Sequence, residues 1–309
     1  RGVGGEMRVQ WPWRRGEYET GVILLSLLLV AAAAGPNLSS TCRGGSDGLS
    51  PPSGTTADDP APLRLVVFMT TFHEARHVVR FNATIRTLAA LQTAGFPAVV
   101  VDSSPPSVRE GLRGWRGVGV HPQSGSPGKA RALQQAARIA AALPGVTPDT
   151  WLCFQEPEKV DMVRWWAPAV ETAAVAGVVV PRREEPEFEQ GYAIEQWHSE
   201  NFGNRYLHAV ARATADLGAL PDLDWFFGPL AFRARHVGLW TEYPGESYDA
   251  QLVPIVHAAR AGVTVVEAAV RFMAEPEMKA EEERNVNFVK KRLRQLTELA
   301  PVVSRALTG

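Results

Sequence analysis

Cysteine is almost missing from this chain: 309 residues hold two, Cys42 and Cys153. One lies in a polar stretch and the other inside an apolar run, a spacing that makes neither a disulfide framework nor a cysteine metal site. A surplus of one charge sign is missing as well, because 32 Lys and Arg face 33 Asp and Glu and leave a net charge of -1. That balance supplies no basic field, so no nucleic acid partner is expected. There is no internal repeat, and no bias toward a fibrous or wholly disordered composition. Long apolar runs are scarce. The most prominent, residues 22–34, is interrupted only by Ser26 and is shorter than the roughly 20 residues that a bilayer-spanning helix needs.

What that run does carry is a targeting pattern. Arg14 and Arg15 precede it, and small residues from Ala31 to Gly35 close it. This is the arrangement of a secretory signal peptide starting near Met7, with a short uncleaved signal anchor as the competing reading. Either one places the remainder in the secretory pathway. The chain is then a single-pass membrane protein of the Golgi or endoplasmic reticulum lumen, or a secreted one where the segment is cleaved. The sequons Asn37-Leu38-Ser39 and Asn82-Ala83-Thr84 agree with a glycoprotein. Residues 36–62, rich in Ser, Gly, Pro, Thr and Asp, read as a flexible stem. That leaves 63–309 as a folded domain with ample apolar content for a full core.

Within the domain, β-branched and aromatic runs at 63–69 and 98–101 and a weaker one at 117–121 read as strands. Helical spacing covers 74–93, where Val78, Phe81, Ile85 and Leu88 share a face, and 130–142. Strand alternating with helix predicts an α/β fold with a mostly parallel sheet flanked by helices. Farther on come a helix at 163–175, a strand at 178–180, a charged loop at 182–189 and an aromatic helix at 190–215. A strand near 230–233, a helix at 246–261, a strand at 263–270 and a basic amphipathic helix at 281–307 close the chain.

The run Trp151-Leu152-Cys153-Phe154 reads as a central buried strand, and it ends abruptly in Gln155-Glu156-Pro157-Glu158-Lys159. Pro157 cannot donate to a strand ladder, so Glu156 and Glu158 fall on a loop at the carboxyl edge, where open α/β sheets bind ligands. Two carboxylates so placed can share a hard divalent cation; the plainer alternative is a solvated acidic turn closed by Lys159. A second motif competes. His73-Glu74-Ala75-Arg76-His77 matches H-E-x-x-H, in which two His one helical turn apart hold zinc for a metallopeptidase. That site needs both His on an established helix, whereas the first strand runs straight into His73. The other reading of the segment is a strand-to-helix turn with Glu74 at the helix start and backbone donors facing a ligand.

A ligand turn after the first strand, Asp102 after the second, Gly128-Lys129-Ala130-Arg131 opening a helix and Glu156-Pro157-Glu158 after the fourth strand come in an order that resembles nucleotide-sugar glycosyltransferases of the GT-A fold. Inverting enzymes of the family 2 type are the most similar. Gly228-Pro229-Leu230-Ala231-Phe232-Arg233 resembles that family's turn and following strand. Glu246-Ser247-Tyr248-Asp249 through Gly262 resembles its acidic helix start. The likeness runs from residue 63 to about 303.

It implies a Rossmann-like catalytic domain that moves a sugar from a nucleotide-diphosphate sugar to an acceptor hydroxyl with inversion, Asp249 or Glu246 being the general base. Thr70, Phe72, Glu74, Asp102, Lys129 and Arg131 are then placed for the nucleotide sugar. Trp225, Phe226, Trp197 and Tyr192 are placed for a glycan, glycoprotein or lipid acceptor. Glu156 and Glu158 occupy the slots of the family's D-x-D, for a divalent cation such as Mn2+ or Mg2+, with Lys129, Arg292 or Arg294 as cationic substitutes. Glu-Pro-Glu departs from D-x-D in its longer side chains and its neighbour Lys159. The same likeness allows a catalytically silent, glycan-binding member of the fold.

Overall fold

The computed structural model describes residues 61–309 except His77 and Gly218. The expected signal or anchor segment, all of the expected stem but residues 61 and 62, and Cys42 lie outside the described residues. Among those described, no helix is long and apolar enough to cross a membrane.

The apolar runs form the strands β1 (Leu65–Thr71), β2 (Ala98–Asp102), β3 (Val118–Pro122), β4 (Trp151–Phe154), β5 (Val178–Arg183), β6 (Leu230–Arg233) and β7 (Val265–Val270). They make one sheet in the order β3-β2-β1-β4-β6-β5-β7. β1 to β4 run parallel, β5 is parallel to β7, and β6 is antiparallel to both of its neighbours. This is the mostly parallel α/β sheet that the strand–helix alternation predicts. The helices are α1 (Val79–Ala94), α2 (Pro106–Arg109), α3 (Lys129–Ala141), α4 (Trp166–Thr172), α5 (Glu187–Gly191), α6 (Ile194–Ala213), α7 (Val237–Thr241), α8 (Asp249–Arg260), α9 (Pro276–Glu282) and α10 (Val286–Thr308).

Strand alternation divides the core in two. Val66 and Phe68 of β1 join Leu133 of α3, Ile255 of α8 and Val303 of α10 on one face. Leu65, Val67 and Met69 join Phe81 and Leu88 of α1 and Trp166 of α4 on the other. Phe232 stacks on Trp240 with ring centroids 3.9 Å apart and an interplanar angle of 5°. The turn after β4 is pinned from within. Trp166 Nε1 donates to Gln155 Oε1 at 2.8 Å, and Gln155 Nε2 donates to the Lys159 carbonyl at 2.7 Å. A buried amide with both ends engaged holds the acidic loop in one place.

Several boundaries differ from the expected ones, among them the aromatic helix at 190–215, which is α5 and α6 with a break at Tyr192 and Ala193. The first helix starts at Val79 rather than near residue 74, because the backbone N–H of His73 is taken by Ser104 Oγ at 2.8 Å and the loop bends toward β2 first. The segment expected as a helix at 163–175 is a 3₁₀ turn over Val160–Trp165 followed by α4. The closing basic helix is two helices, split where Arg284 takes a positive φ of 58° and Asn285 caps α10 by accepting from Asn287 N–H.

Candidate functional site

β1 lies between β2 and β4. The chain therefore builds outward through β2 and β3 and returns on the far side of β1. The carboxyl ends of β1 and β4 are a topological switch point, where open sheets leave a crevice. A cavity of about 550 Å³ occupies it, walled by Thr70 at the end of β1, Phe72 just after it, Ser103 after β2 and Lys129 at the start of α3. Phe72 is 63% exposed. An uncovered aromatic ring at the mouth of a crevice suits stacking against a planar base.

The floor of this cavity is charged. Glu156 lies 3.7 Å from Lys129 Nζ and 3.3 Å from Lys159 Nζ, while Glu158 accepts a 2.7 Å hydrogen bond from Arg80 Nη1. Arg80 reaches on to Glu282 of α9, which holds Arg292 of α10 at 3.0 Å. Burial favours the neutral acid at Glu158, but Arg80 and then Lys159 outweigh it and keep the carboxyl below its usual pKa. Burial likewise opposes the charge on Lys159, and Tyr192 and Glu156 overcome it to hold the lysine above its ordinary value. Lys291 of α10 completes the group without a carboxylate in ion-pair contact among the described residues. Burial, then Arg80 and Arg292, press its pKa down. Gly228, at φ 104°, lets the loop before β6 close over Glu156: a Cβ there would stand 2.6 Å from the Glu156 carboxyl carbon.

A second, inner cavity of about 90 Å³ is lined by Tyr192, Trp225, Phe226 and Gln251, and it shares Arg80, Glu156, Glu158, Tyr248 and Lys291 with the outer one. The two meet at these residues. Each of the five carboxylates lining the inner cavity, Glu156, Glu158, Glu200, Glu275 and Glu282, is ion-paired. The indole N–H of Trp225 and the Oε1 of Gln251 are buried and lack a partner among the described residues. Behind the aromatic wall, Arg183 is bidentate to Asp224 at 2.7 and 2.8 Å and lies 2.8 Å from Glu200.

Of the residues expected at the nucleotide, Thr70, Phe72 and Lys129 line the outer cavity. Asp102 does not. Its carboxylate is fully buried and spent on Thr71, Ser104 and Arg109, which makes it a brace between the loops after β1 and β2. Glu74 and Arg131 are exposed and line neither cavity. Tyr192, Trp225 and Phe226 line the inner cavity, whereas Trp197 points elsewhere and donates to Glu185 at 3.0 Å.

The expected base Asp249 opens α8, but it accepts from Ser247 N–H at 2.8 Å and lies 3.4 Å from the Tyr243 hydroxyl. It lines a cavity in the seam between α8 and α10 that shares Tyr248 and Lys291 with the other two. Glu246 is exposed. The polar side chain that α8 presents to the inner cavity is Gln251, beside Leu252. Arg292 lines the inner cavity through its pairs with Glu200 and Glu282, while Arg294 lines the seam cavity and pairs with Glu298.

The zinc motif is not formed as its chemistry requires. His73 sits in the loop between β1 and α1, not on a helix, and its Nε2 is 3.1 Å from Thr84 Oγ1. His77 lies outside the described residues, and among those described no three His, Cys, Asp or Glu side chains gather as metal ligands. Glu156 and Glu158 also fit a divalent cation poorly. Each is already engaged by cations, and not by the same ones. The outer cavity carries three cations, Arg80, Lys129 and Lys291, against these two carboxylates, so a further double positive charge enters an already positive site.

Arg80, Lys291 and Gln251 went unread in the sequence. Arg80 lies among the apolar positions of α1, Lys291 is one of several bases on a helix that looks solvated, and nothing local marks Gln251.

No protein-family model matches the chain, and no curated protein matches it. Among solved structures, the chain is similar to glucosyl-3-phosphoglycerate synthase from Mycobacterium tuberculosis in complex with Mn2+, UDP and glucosyl-3-phosphoglycerate, at 16% identity over 78% of this chain and 80% of that one, with a TM-score of 0.49. It is also similar to the same synthase in complex with Mn2+, UDP-glucose and phosphoglyceric acid, at 17% identity over 79% and 80% of the two chains and a TM-score of 0.46. A complex of that synthase with Mg2+ and UDP matches at 15% identity over 77% and 80%, with a TM-score of 0.44. Likeness at these levels assigns neither a substrate nor a reaction to this chain.

Proposed function

We propose that this protein transfers a sugar from a nucleotide-diphosphate sugar to the hydroxyl of an acceptor. The observation that carries the reading is the pair of cavities meeting at Glu156, Glu158 and Lys291 on the switch point of a GT-A-like sheet. The outer cavity offers Phe72 and Thr70 to a base and ribose, and cations to a diphosphate. The inner one is lined by Trp225 and Gln251, which carry a buried donor and a buried acceptor without partners among the described residues, and a sugar hydroxyl satisfies both kinds. In transfer, the bond from the anomeric carbon to the diphosphate breaks, its electron pair goes to the β-phosphate oxygen, and the acceptor oxygen bonds to that carbon. Cations held beside the β-phosphate stabilise the charge that develops there.

The proton of the acceptor has two routes. Inversion delivers it to a carboxylate base, which here requires Asp249 to swing away from Tyr243. Retention delivers it to the departing phosphate oxygen. The ion pairing of all five inner-cavity carboxylates favours the second, so we assign retention and place Gln251 rather than Asp249 beside the reacting sugar. The acceptor as a glycan, glycoprotein or lipid, and residence in the secretory pathway behind a membrane segment or as a secreted protein, rest on the amino-terminal pattern and the sequons and belong to the same proposal.

The test is incubation of the protein with a panel of nucleotide sugars, watching for release of nucleoside diphosphate, with product anomers assigned by NMR. Turnover of one donor with the configuration retained is the expected result. Tight binding without turnover of any donor supports a silent, ligand-binding member of the fold, and no binding at all sinks the nucleotide reading.

A further inference from the structure

We infer that the donor diphosphate is held by the protein's own groups, with Lys291 of α10 as its principal contact and no divalent metal bridging it to Glu156 and Glu158; this rests on the nucleotide-sugar reading above. Four observations converge on it. The two carboxylates that a bridging metal would use are neutralised in place, Glu156 between Lys129 and Lys159, and Glu158 by Arg80. Removing either from its partner leaves a half-buried charge uncompensated, a cost that a metal must overcome before it gains anything.

The outer cavity is already positive, with Arg80, Lys129 and Lys291 facing two carboxylates. A diphosphate offsets that excess, whereas a divalent cation enlarges it.

Lys291 is the cation left over. Arg80, Lys129 and Lys159 each have a carboxylate within 4 Å. Lys291 forms no ion pair among the described residues, stands beside the like charges of Arg80 and Arg292, and lines both the outer and the inner cavity. Glu158 and Glu282 favour the Lys291 charge from beyond ion-pair distance, but burial and the like charges of Arg80 and Arg292 outweigh them, so the ammonium is unfavourable there until an anion arrives.

The fourth observation comes from α3. Its first turn lines the same cavity through Gly128, Lys129 and Ala132, and no side chain caps it. The free N–H groups of that turn therefore add to the attraction for a phosphate entering beside Lys129. Lys129 itself is steadied over the Tyr248 ring, with Nζ 3.6 Å from the centroid. Lys291 thus closes the diphosphate from the α10 side, Lys129 and the α3 turn from the other.

The full chain is titrated calorimetrically with UDP, GDP, CDP, ADP and inorganic pyrophosphate, each once with EDTA and once with Mn2+, for the wild type, Lys291→Gln and Lys291→Arg. Thermal melts of all three without ligand show whether the variants fold. One nucleoside diphosphate is expected to bind with the same affinity in EDTA and in Mn2+. Lys291→Gln is expected to weaken it by about tenfold or more in both, as loss of one partner from a desolvated charge pair does, and Lys291→Arg to retain most of it. Binding that appears only with Mn2+ overturns the inference and leaves the nucleotide reading intact. Unchanged affinity in Lys291→Gln overturns the role of Lys291. Pyrophosphate binding in EDTA with no nucleoside diphosphate bound sustains the cationic cradle and sinks the nucleotide reading; binding of nothing overturns both.

Discussion

Gly228 is the residue on which the geometry of the floor turns. Its φ of 104° favours glycine, and a Cβ there would stand 2.6 Å from the Glu156 carboxyl and displace it. Gly228→Ala is expected to cost about 1–3 kcal/mol of stability through backbone strain and to push Glu156 off Lys129 and Lys159. Urea unfolding measures the first effect and nucleotide titration the second; an unchanged midpoint would show that the loop relaxes freely. Gln251 and Asp249 make a pair of contrary expectations. Gln251→Ala should lower turnover by on the order of a hundredfold, the scale of losing an oriented polar contact at the reacting group. Asp249→Asn should change turnover by less than about tenfold, since its carboxylate serves Ser247 and Tyr243. A loss on the order of a thousandfold in Asp249→Asn, the range of a missing general base, would restore the inverting route.

Among the elements, α6, α9 and α10 are joined to the sheet by charge rather than by apolar contact alone. Arg183 of β5 holds Asp224 and Glu200, Glu200 holds Arg292, and Arg292 holds Glu282 of α9, which holds Arg80 of α1. Burial favours the protonated form of Asp224, but Arg183 and Asn204 outweigh it and keep the carboxyl below its ordinary value. A lowered folded-state pKa means that this contribution to stability is complete above the unfolded value of about 3.9 and is lost as the pH falls from there through the folded value. Asp224→Asn should therefore lose about 3–5 kcal/mol near neutrality, with the gap to the wild type closing below about pH 4. Guanidinium unfolding across that range checks the sign, and a gap that widens in acid contradicts it.

The same elements show what local sequence conveys. β1, β2, β4 and α3 are legible because their apolar periods are uninterrupted. The split between α9 and α10 is not, because only a cap and one positive φ at Arg284 mark it.

At the scale of the whole molecule, Cys153 reports on the integrity of the sheet. It lies fully buried in β4, and burial raises its thiol pKa. In a Cys42→Ser background, thiol labelling should be limited by opening of the central sheet and should rise with urea in step with loss of helical circular dichroism. Fast labelling without denaturant would mean that β4 opens locally. Donor nucleotide at about a hundred times its dissociation constant should stabilise the fold by about 2.7 kcal/mol, and labelling should slow accordingly.

The sequence by itself determined the alternation of strand and helix, the strand that ends in Gln155-Glu156-Pro157-Glu158-Lys159, and the polar turns after β1 and β2, because each depends on side-chain period and on what Pro and Gly allow nearby in the chain. Only the tertiary structure decided that Glu156 and Glu158 are ion-paired, that Asp102 is a brace and Asp249 a helix-start acid engaged by Ser247 and Tyr243, and that Gln251 and Lys291 line the cleft. Those outcomes depend on Arg80, Lys129, Tyr243 and α10 arriving from distant parts of the chain. Where a carboxylate points is settled by the cation that reaches it, and sequence spacing does not record that meeting.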